Sequence, residues 1–366
     1  MAFLLLFVDG IGLGRRDPAA NVFLRARLPH LEGLLGGQPL VEGSLPATGP
    51  RSAGVPVDAT LGVPGIPQSA TGQTTILTGV NAPRAIGRHL NGYPTPRLRQ
   101  ILMAHSLFKQ VRDRGRTATF LNAYRPEFFR WLEVTGGDPD RADEEVLDRV
   151  FNPAGAAPGA GLPPGWSARA ARRYRPSAST VAVLAAGLPF RTLDDLAAGE
   201  AVYHDITRAT LRAQGYPVPL RSPEEAGADA ARVARRYDFA MFEYFLTDLA
   251  GHAQDPDQAV VVLETWDRFL GGVLAGLDPD RDTVLILSDH GNLEDLEVRT
   301  HTRNPVPAIA WGAGAQALVS GLRDLTDVAG AILAALGLSS PPGRSPLGTV
   351  DRAPDEPDGG PHPSKG

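Results

Sequence analysis

Phe245-Leu246-Thr247-Asp248-Leu249-Ala250-Gly251-His252 and Ser288-Asp289-His290-Gly291-Asn292 each set carboxylate and imidazole together behind an apolar run. Asp and His form a ligand set that suits Zn, Mn or Fe, and two such sets point to two metals close together. Pro67-Gln68-Ser69-Ala70-Thr71-Gly72-Gln73-Thr74-Thr75 is a hydroxyl-rich turn ahead of Ile76-Leu77-Thr78-Gly79, which reads as the start of a helix. A serine at a helix N-terminus has free N–H groups and the positive dipole end beside it, a setting that favours a bound phosphate. His301-Thr302-Arg303-Asn304-Pro305-Val306-Pro307 adds a further imidazole, and Arg303 beside it is a candidate phosphate contact. Two cations would neutralise phosphate oxygens and activate a serine hydroxyl, so the expected chemistry is phosphoryl transfer through Ser69, with Thr71 as the alternative nucleophile.

The elements that must position these residues are buried strands. Ala2–Val8, Phe239–Phe245 and Thr283–Leu287 read as strands of a parallel sheet, each followed within three residues by an aspartate: Asp9, Asp248 and Asp289. Ligands of open α/β sheets bind beyond the carboxyl ends of the strands, so the three acids are expected to converge there. Helices are expected over Ser222–Tyr237 and Gln258–Leu277. Residues 93–217 carry their own helix–strand alternation, such as Leu98–Arg114 then Thr117–Leu121, and a loop rich in Pro, Gly and Ala, Asn152–Gly165. They are read as a cap inserted between two halves of a catalytic core, 1–92 and 218–338. The tail, 339–366, is dense in Pro, Gly and charge and is expected to be disordered.

Composition narrows the alternatives. The chain has 366 residues, 43% of them hydrophobic, and a net charge of −5, which gives no general attraction to nucleic acid or anionic membranes. Cysteine is absent, which excludes disulfides and thiolate metal sites. The apolar run at Met1–Val8 is too short for a membrane span and lacks a basic leader, so the cytoplasm is the expected compartment. Of 36 basic residues only Lys109 and Lys365 are lysine, so a phosphate clamp must be arginine. Arg84 and Arg88 are candidates, with Ala123-Tyr124-Arg125-Pro126, Arg172-Arg173-Tyr174-Arg175 and Tyr203-His204-Asp205-Ile206-Thr207 on the substrate side of the cap. Asp9-Gly10-Ile11-Gly12-Leu13-Gly14 admits a second reading as a nucleotide-binding loop, although its glycine spacing is not Gly-x-Gly-x-x-Gly. A catalytically dead scaffold is the third class, and the full complement of expected ligands argues against it.

Taken together, Val8-Asp9-Gly10, the Ser69 turn, Asp248 with His252, Asp289-His290-Gly291-Asn292 and His301-Thr302-x-Asn304-Pro305-Val306-Pro307 resemble the alkaline phosphatase superfamily. The closest likeness is to its metalloenzyme branch of cofactor-independent phosphoglycerate mutase and phosphopentomutase. The resemblance covers about residues 1–92 and 218–338. It implies a three-layer αβα core with a mainly parallel sheet and an inserted α/β cap. It further implies two divalent metals, Mn or Zn, one held by Asp248, His252 and His301. Asp9, Asp289 and His290 would hold the other, with Ser69 completing that site and Asn292 supporting it by hydrogen bonding. Ser69 would become phosphoserine, and the substrate would be a small phosphorylated metabolite. Departures are Gly72-Gln73, where the mutases carry Gly-His, a shorter cap than in the larger phosphoglycerate mutases, and the lack of a lysine placed near the substrate. A phosphomutase is expected, with a phosphatase of the same superfamily as the alternative. Sulfatase chemistry is disfavoured, because Ser69 is followed by Ala70-Thr71-Gly72 and not by the sulfatase signature.

Overall fold

In β1, Phe3–Val8, every residue is buried, and alternate side chains enter two different cores. Phe3, Leu5 and Phe7 join one cluster, while Leu4, Leu6 and Val8 join the other. A strand buried on both faces belongs at the centre of a three-layer α/β sandwich, which explains its unbroken apolar sequence. The structure, a computed structural model, describes residues 1–141 and 175–338. The loop Asn152–Gly165, Arg172-Arg173-Tyr174 and the tail 339–366 lie outside the described residues.

The remaining strands are β2, Ala47–Thr48; β3, Ser52–Val57; β4, Ala118–Phe120; β5, Phe239–Tyr244; β6, Thr283–Leu287; and β7, Val306–Gly312. They form one seven-stranded sheet in the order β2-β3-β7-β6-β1-β5-β4. The contiguous strands β6, β1, β5 and β4 are mutually parallel, whereas β7 runs antiparallel to β6 and β3 antiparallel to β7. The three strands expected to carry the acids are thus neighbours, with Val8 opposite Tyr244 and Phe7 opposite Leu287. Because β7 is antiparallel, with Leu287 opposite Ala308, its entry at Val306 lies at the carboxyl end of β6. That register returns the segment containing His301 to the same end of the sheet.

Helices cover both faces. Pro223–Ala234 and Pro256–Gly276 pack on the Leu4 face, and Ser222 with Glu225 forms a capping box that starts the first of them. Ser69–Thr78, Pro96–His105, Leu107–Asp113, Ala178–Ala185 and Asp327–Ala335 lie on the Phe3 face. Two local expectations are corrected. Ile76–Gly79 ends a helix that begins at Ser69: Gly79, at φ 75°, is its left-handed cap. The single helix expected over Leu98–Arg114 is two, because Ser106 adopts an extended ψ of 129° and its hydroxyl caps the second.

The strand expected in the inserted segment, Thr117–Leu121, is β4 and forms the edge of the main sheet, paired with β5. Residues 93–141 therefore also supply core: Leu102, Phe108, Phe120 and Trp131 join the Phe3-face cluster. A smaller satellite cluster gathers Ala123, Leu196, Tyr203, Leu211 and Val218. No helix among the described residues is long and apolar enough to cross a membrane.

Candidate active site

Asp9 follows β1, Asp248 sits in the helix Leu246–Ala253 just beyond β5, and Asp289 follows β6. The sheet register brings all three to one place. His252 lies one helical turn after Asp248, so its imidazole shares the Asp248 face, with Nε2 3.3 Å from Oδ2. His301 Nε2 stands 3.4 Å from the other Asp248 oxygen and 3.1 Å from His252 Nε2. Beside this group, His290 Nε2 is 3.3 Å from Asp9 Oδ1 and 3.5 Å from Asp289 Oδ2. The rings of His290 and His301 stack at 3.7 Å, so the two clusters adjoin.

The imidazoles are oriented by backbone carbonyls. His301 Nδ1 meets the Pro67 carbonyl at 3.1 Å, and His252 Nδ1 meets that of Arg299 at 3.1 Å. Each contact is made by Nδ1 and turns Nε2 toward the cluster, which is how metal-binding histidines are commonly oriented. Asn292 donates to Asp248 Oδ1 at 2.7 Å and to its carbonyl at 3.1 Å.

The second cluster is short of donors. Asp289 is fully buried, yet neither of its oxygens has a hydrogen-bond partner, nor does Asp9 Oδ1. Burial holds Asp9 well above the ordinary carboxylate range, and the charges of Asp289 and Asp248 raise it further. Asp289 is lifted to about 7 by burial and then by Asp248. Burial, reinforced by His301, lowers His290 to about 3 and keeps its ring neutral. Asp248 behaves oppositely: burial pushes it up, but the His301 hydrogen bond, His290 and Asn292 outweigh that and hold it near 2. Clustered carboxylates and imidazoles that turn Nε2 toward one another fit a divalent cation, whose charge removes the mutual repulsion of the carboxylates. Asp248, His290 and His301, and likewise Asp9, Asp289 and His290, converge closely enough to hold one.

Ser69 opens its helix as the first helical residue, and its Oγ is 2.9 Å from His290 Nε2. Gly72 explains how the helix comes so close: a Cβ there would lie 2.8 Å from the Asp289 Cβ. Thr71 is placed differently. Its hydroxyl donates to the Gln68 carbonyl and accepts from Leu90 N–H, tying the helix to the following loop. Gln73 donates to Asp9 Oδ2 at 3.1 Å, a role its sequence position does not announce.

Glu294 is the residue that sequence reasoning misses. Fully buried, it accepts from Gly12 N–H at 2.9 Å, Asn292 N–H at 2.7 Å, Asn304 Nδ2 at 3.0 Å and the Thr302 hydroxyl. One carboxylate thus ties together the loops carrying Asp9, Asp289 and His301. Nothing in its local sequence marks it, because the partners are spread over three loops. The glycines of Asp9–Gly14 serve the same packing: a Cβ on Gly12 would lie 2.3 Å from Glu294 Oε1. The run is a close-packed turn around Glu294, which accounts for its glycines without a nucleotide.

Residues 219–340 match the model of a family described as the Metalloenzyme superfamily. This third of the chain is similar to that superfamily. The 2,3-bisphosphoglycerate-independent phosphoglycerate mutase of Roseobacter denitrificans is 36% identical over 131 residues, 33% of this chain and 25% of that protein. The phosphopentomutase of Chromohalobacter salexigens is 34% identical over 120 residues, 32% of this chain and 27% of that protein. The aligned stretch thus spans about a quarter of the length of these curated relatives. Among solved structures, the PH0037 protein of Pyrococcus horikoshii shares the fold, with a TM-score of 0.51 at 14% identity, over 94% of this chain and 98% of that one. The matched segment contains Asp248, His252, Asp289, His290 and His301; Asp9 and Ser69 lie outside it and join through β1 and the Ser69 helix.

Next to the Asp/His clusters opens a cavity of about 630 Å³, whose lining includes Asp9, Ser69, Gln73 and Asp248. Arg125, Arg175, Tyr203 and His204 line it, as the sequence reading allowed for these segments. Arg84, Arg88 and Arg303 do not: all three are exposed side chains off the cavity wall. Lys109 is equally remote, paired with Asp113 at 2.5 Å.

Proposed function

We propose that the chain is a metal-dependent phosphoryl-transfer enzyme of phosphomutase type, acting on a small phosphorylated metabolite through phosphoserine at Ser69. The observation that carries this reading is the Ser69 hydroxyl, held at a helix N-terminus 2.9 Å from His290 Nε2 and beside two adjoining Asp/His clusters. Asp248, His252 and His301 would hold one divalent ion, and Asp9, Asp289 and His290 the other, Mn or Zn in each case. Bound there, the ions neutralise phosphoryl oxygens and lower the pKa of the serine hydroxyl.

The protein's own groups do the rest. The N–H groups of Ser69 and Ala70, at the start of the helix, would receive the incoming phosphate. Ser69 Oγ loses its proton to solvent and forms the new bond to phosphorus, while the ester P–O bond breaks and the leaving alcohol takes up a proton. In a mutase a second hydroxyl of the same molecule then attacks phosphoserine and restores Ser69; in a phosphatase water does so. The cavity that Tyr203, His204 and Arg125 line together with Ser69 is where the dephosphorylated intermediate would be retained. The test is incubation with Mn and a panel of phosphate esters, with products followed by phosphorus NMR. Isomer without free phosphate is the expected outcome; free phosphate alone assigns a phosphatase, and no metal-dependent turnover of any ester removes the reading.

A further inference from the structure

A phosphate held beside Ser69 leaves the alcohol half of the ester in the remainder of the cavity, whose walls determine what that half can be. At about 630 Å³ the cavity falls in the range that takes drug-sized ligands, roughly 300–1,000 Å³, and a three-carbon acid would fill only a fraction of it. Phe245 and Leu249, on either side of Asp248 in sequence, both line it. The Phe245 ring stacks on His204 with centroids 4.9 Å apart at 29°, and His204 lies 4.1 Å from the Tyr203 ring. Burial holds His204 down to about 4, so at neutral pH this stack presents an uncharged aromatic face. Tyr93 also lines the cavity while 51% exposed, and Leu249 is 54% exposed. They are two of six large hydrophobic residues that are exposed among the described residues. Apolar surface left in water is unfavourable by about 25 cal/mol per Å², and its concentration in one groove marks a surface meant to be covered.

We infer that the substrate is a phosphate monoester whose alcohol half carries an unsaturated ring, seated against the Phe245–His204 stack and between Tyr93 and Leu249. The chemistry is shared by nucleoside monophosphates, whose ribose offers the second hydroxyl that a mutase needs, and by aryl phosphates, which only the phosphatase course could turn over. The inference rests on the phosphoryl-transfer reading and narrows its substrate. The stack supplies a flat, polarisable face for the ring, and ring-on-ring stacking of this kind is worth about 1–3 kcal/mol, roughly 5- to 150-fold in affinity.

The experiment is calorimetric binding to the Mn-loaded Ser69→Ala protein, which holds esters without turning them over. Adenosine 5′-monophosphate and phenyl phosphate are compared with ribose 5-phosphate and 3-phosphoglycerate. At least tenfold tighter binding of one or both ring-bearing esters is expected, and whichever binds tighter identifies the nucleoside or the aryl class. Phe245→Leu, which keeps bulk but removes the aromatic face, and the exposed Tyr93→Ala should each cut that preference at least fivefold. Equal or tighter binding of the ringless esters, or a preference untouched by both variants, overturns the inference while leaving phosphoryl transfer standing. Failure of all four esters to bind in a Mn-dependent way overturns the reading beneath it.

Discussion

Gly72→Ala separates the stability of the fold from the seating of the catalytic helix. The added Cβ would stand 2.8 Å from the Asp289 Cβ and 3.0 Å from the Asp289 carbonyl oxygen. Ordinary carbon–carbon contacts are about 3.5–4.0 Å, so the Ser69 helix must retreat by roughly 1 Å. Both obstructing atoms belong to or adjoin the backbone, and no side-chain rotation relieves them. Overpacking of this kind costs about 1–3 kcal/mol, while replacing a mid-helix glycine by alanine returns about 1 kcal/mol, for a net loss of roughly 0–2 kcal/mol. A misplacement of about 1 Å at a reacting group costs on the order of 10²-fold in rate. Denaturant unfolding should therefore change little while kcat/KM falls about a hundredfold. Gly330→Ala is the matched control: it lies within the helix Asp327–Ala335 with nothing within 4 Å of an added Cβ, so it should gain about 0.5–1 kcal/mol and leave turnover unchanged. Gly72→Ala activity within threefold of the parent would refute the claim that the Ser69 helix is seated on Asp289.

Asn292→Ala removes the 2.7 Å hydrogen bond to Asp248 and should weaken divalent-metal affinity about 10- to 100-fold, read by competition with a chelating dye; unchanged affinity removes Asn292 from the support of the site. Glu294→Ala strands four donors from three loops and should cost about 3–5 kcal/mol by denaturant unfolding, against under 1 kcal/mol if those loops were independently stable. Glu243 is raised to about 7 by burial, with only the Ser179 hydroxyl opposing. Its raised folded pKa means that its contribution is fully present below about 4.5 and is lost as pH rises through about 7, on the order of 3 kcal/mol in all. Glu243→Gln should therefore flatten the fall in stability between about pH 4.5 and 7; an equally steep fall in the variant assigns the slope to other groups.

The central strands and the convergence of the acids were legible because burial on both faces imposes unbroken apolar runs, and because loops at strand ends carry the chemistry. Ser69 was legible from its hydroxyl-rich turn, though the helix was placed too late: Thr74, Thr75 and Thr78 look like loop residues, yet each bonds back to a carbonyl four residues earlier. The edge strand β4 is legible as a strand, but its three buried residues do not reveal that it joins the main sheet and not a separate cap. Arg84, Arg88 and Arg303 are candidates only by their charge near the motifs, and charge near a motif says nothing about which way a side chain points. Glu294 and Gln73 were invisible because their meaning lies in partners distant in the chain.

The most direct test of phosphoryl transfer through Ser69 is peptide mapping by mass spectrometry after a brief incubation of the Mn-loaded protein with a phosphate ester that it turns over. The account predicts one phosphoryl group on the peptide containing Ser69, absent after chelation and absent from Ser69→Ala. Label on Thr71, or turnover with no phosphoprotein at any quench time in the parent or in variants slowed at the second step, would contradict it.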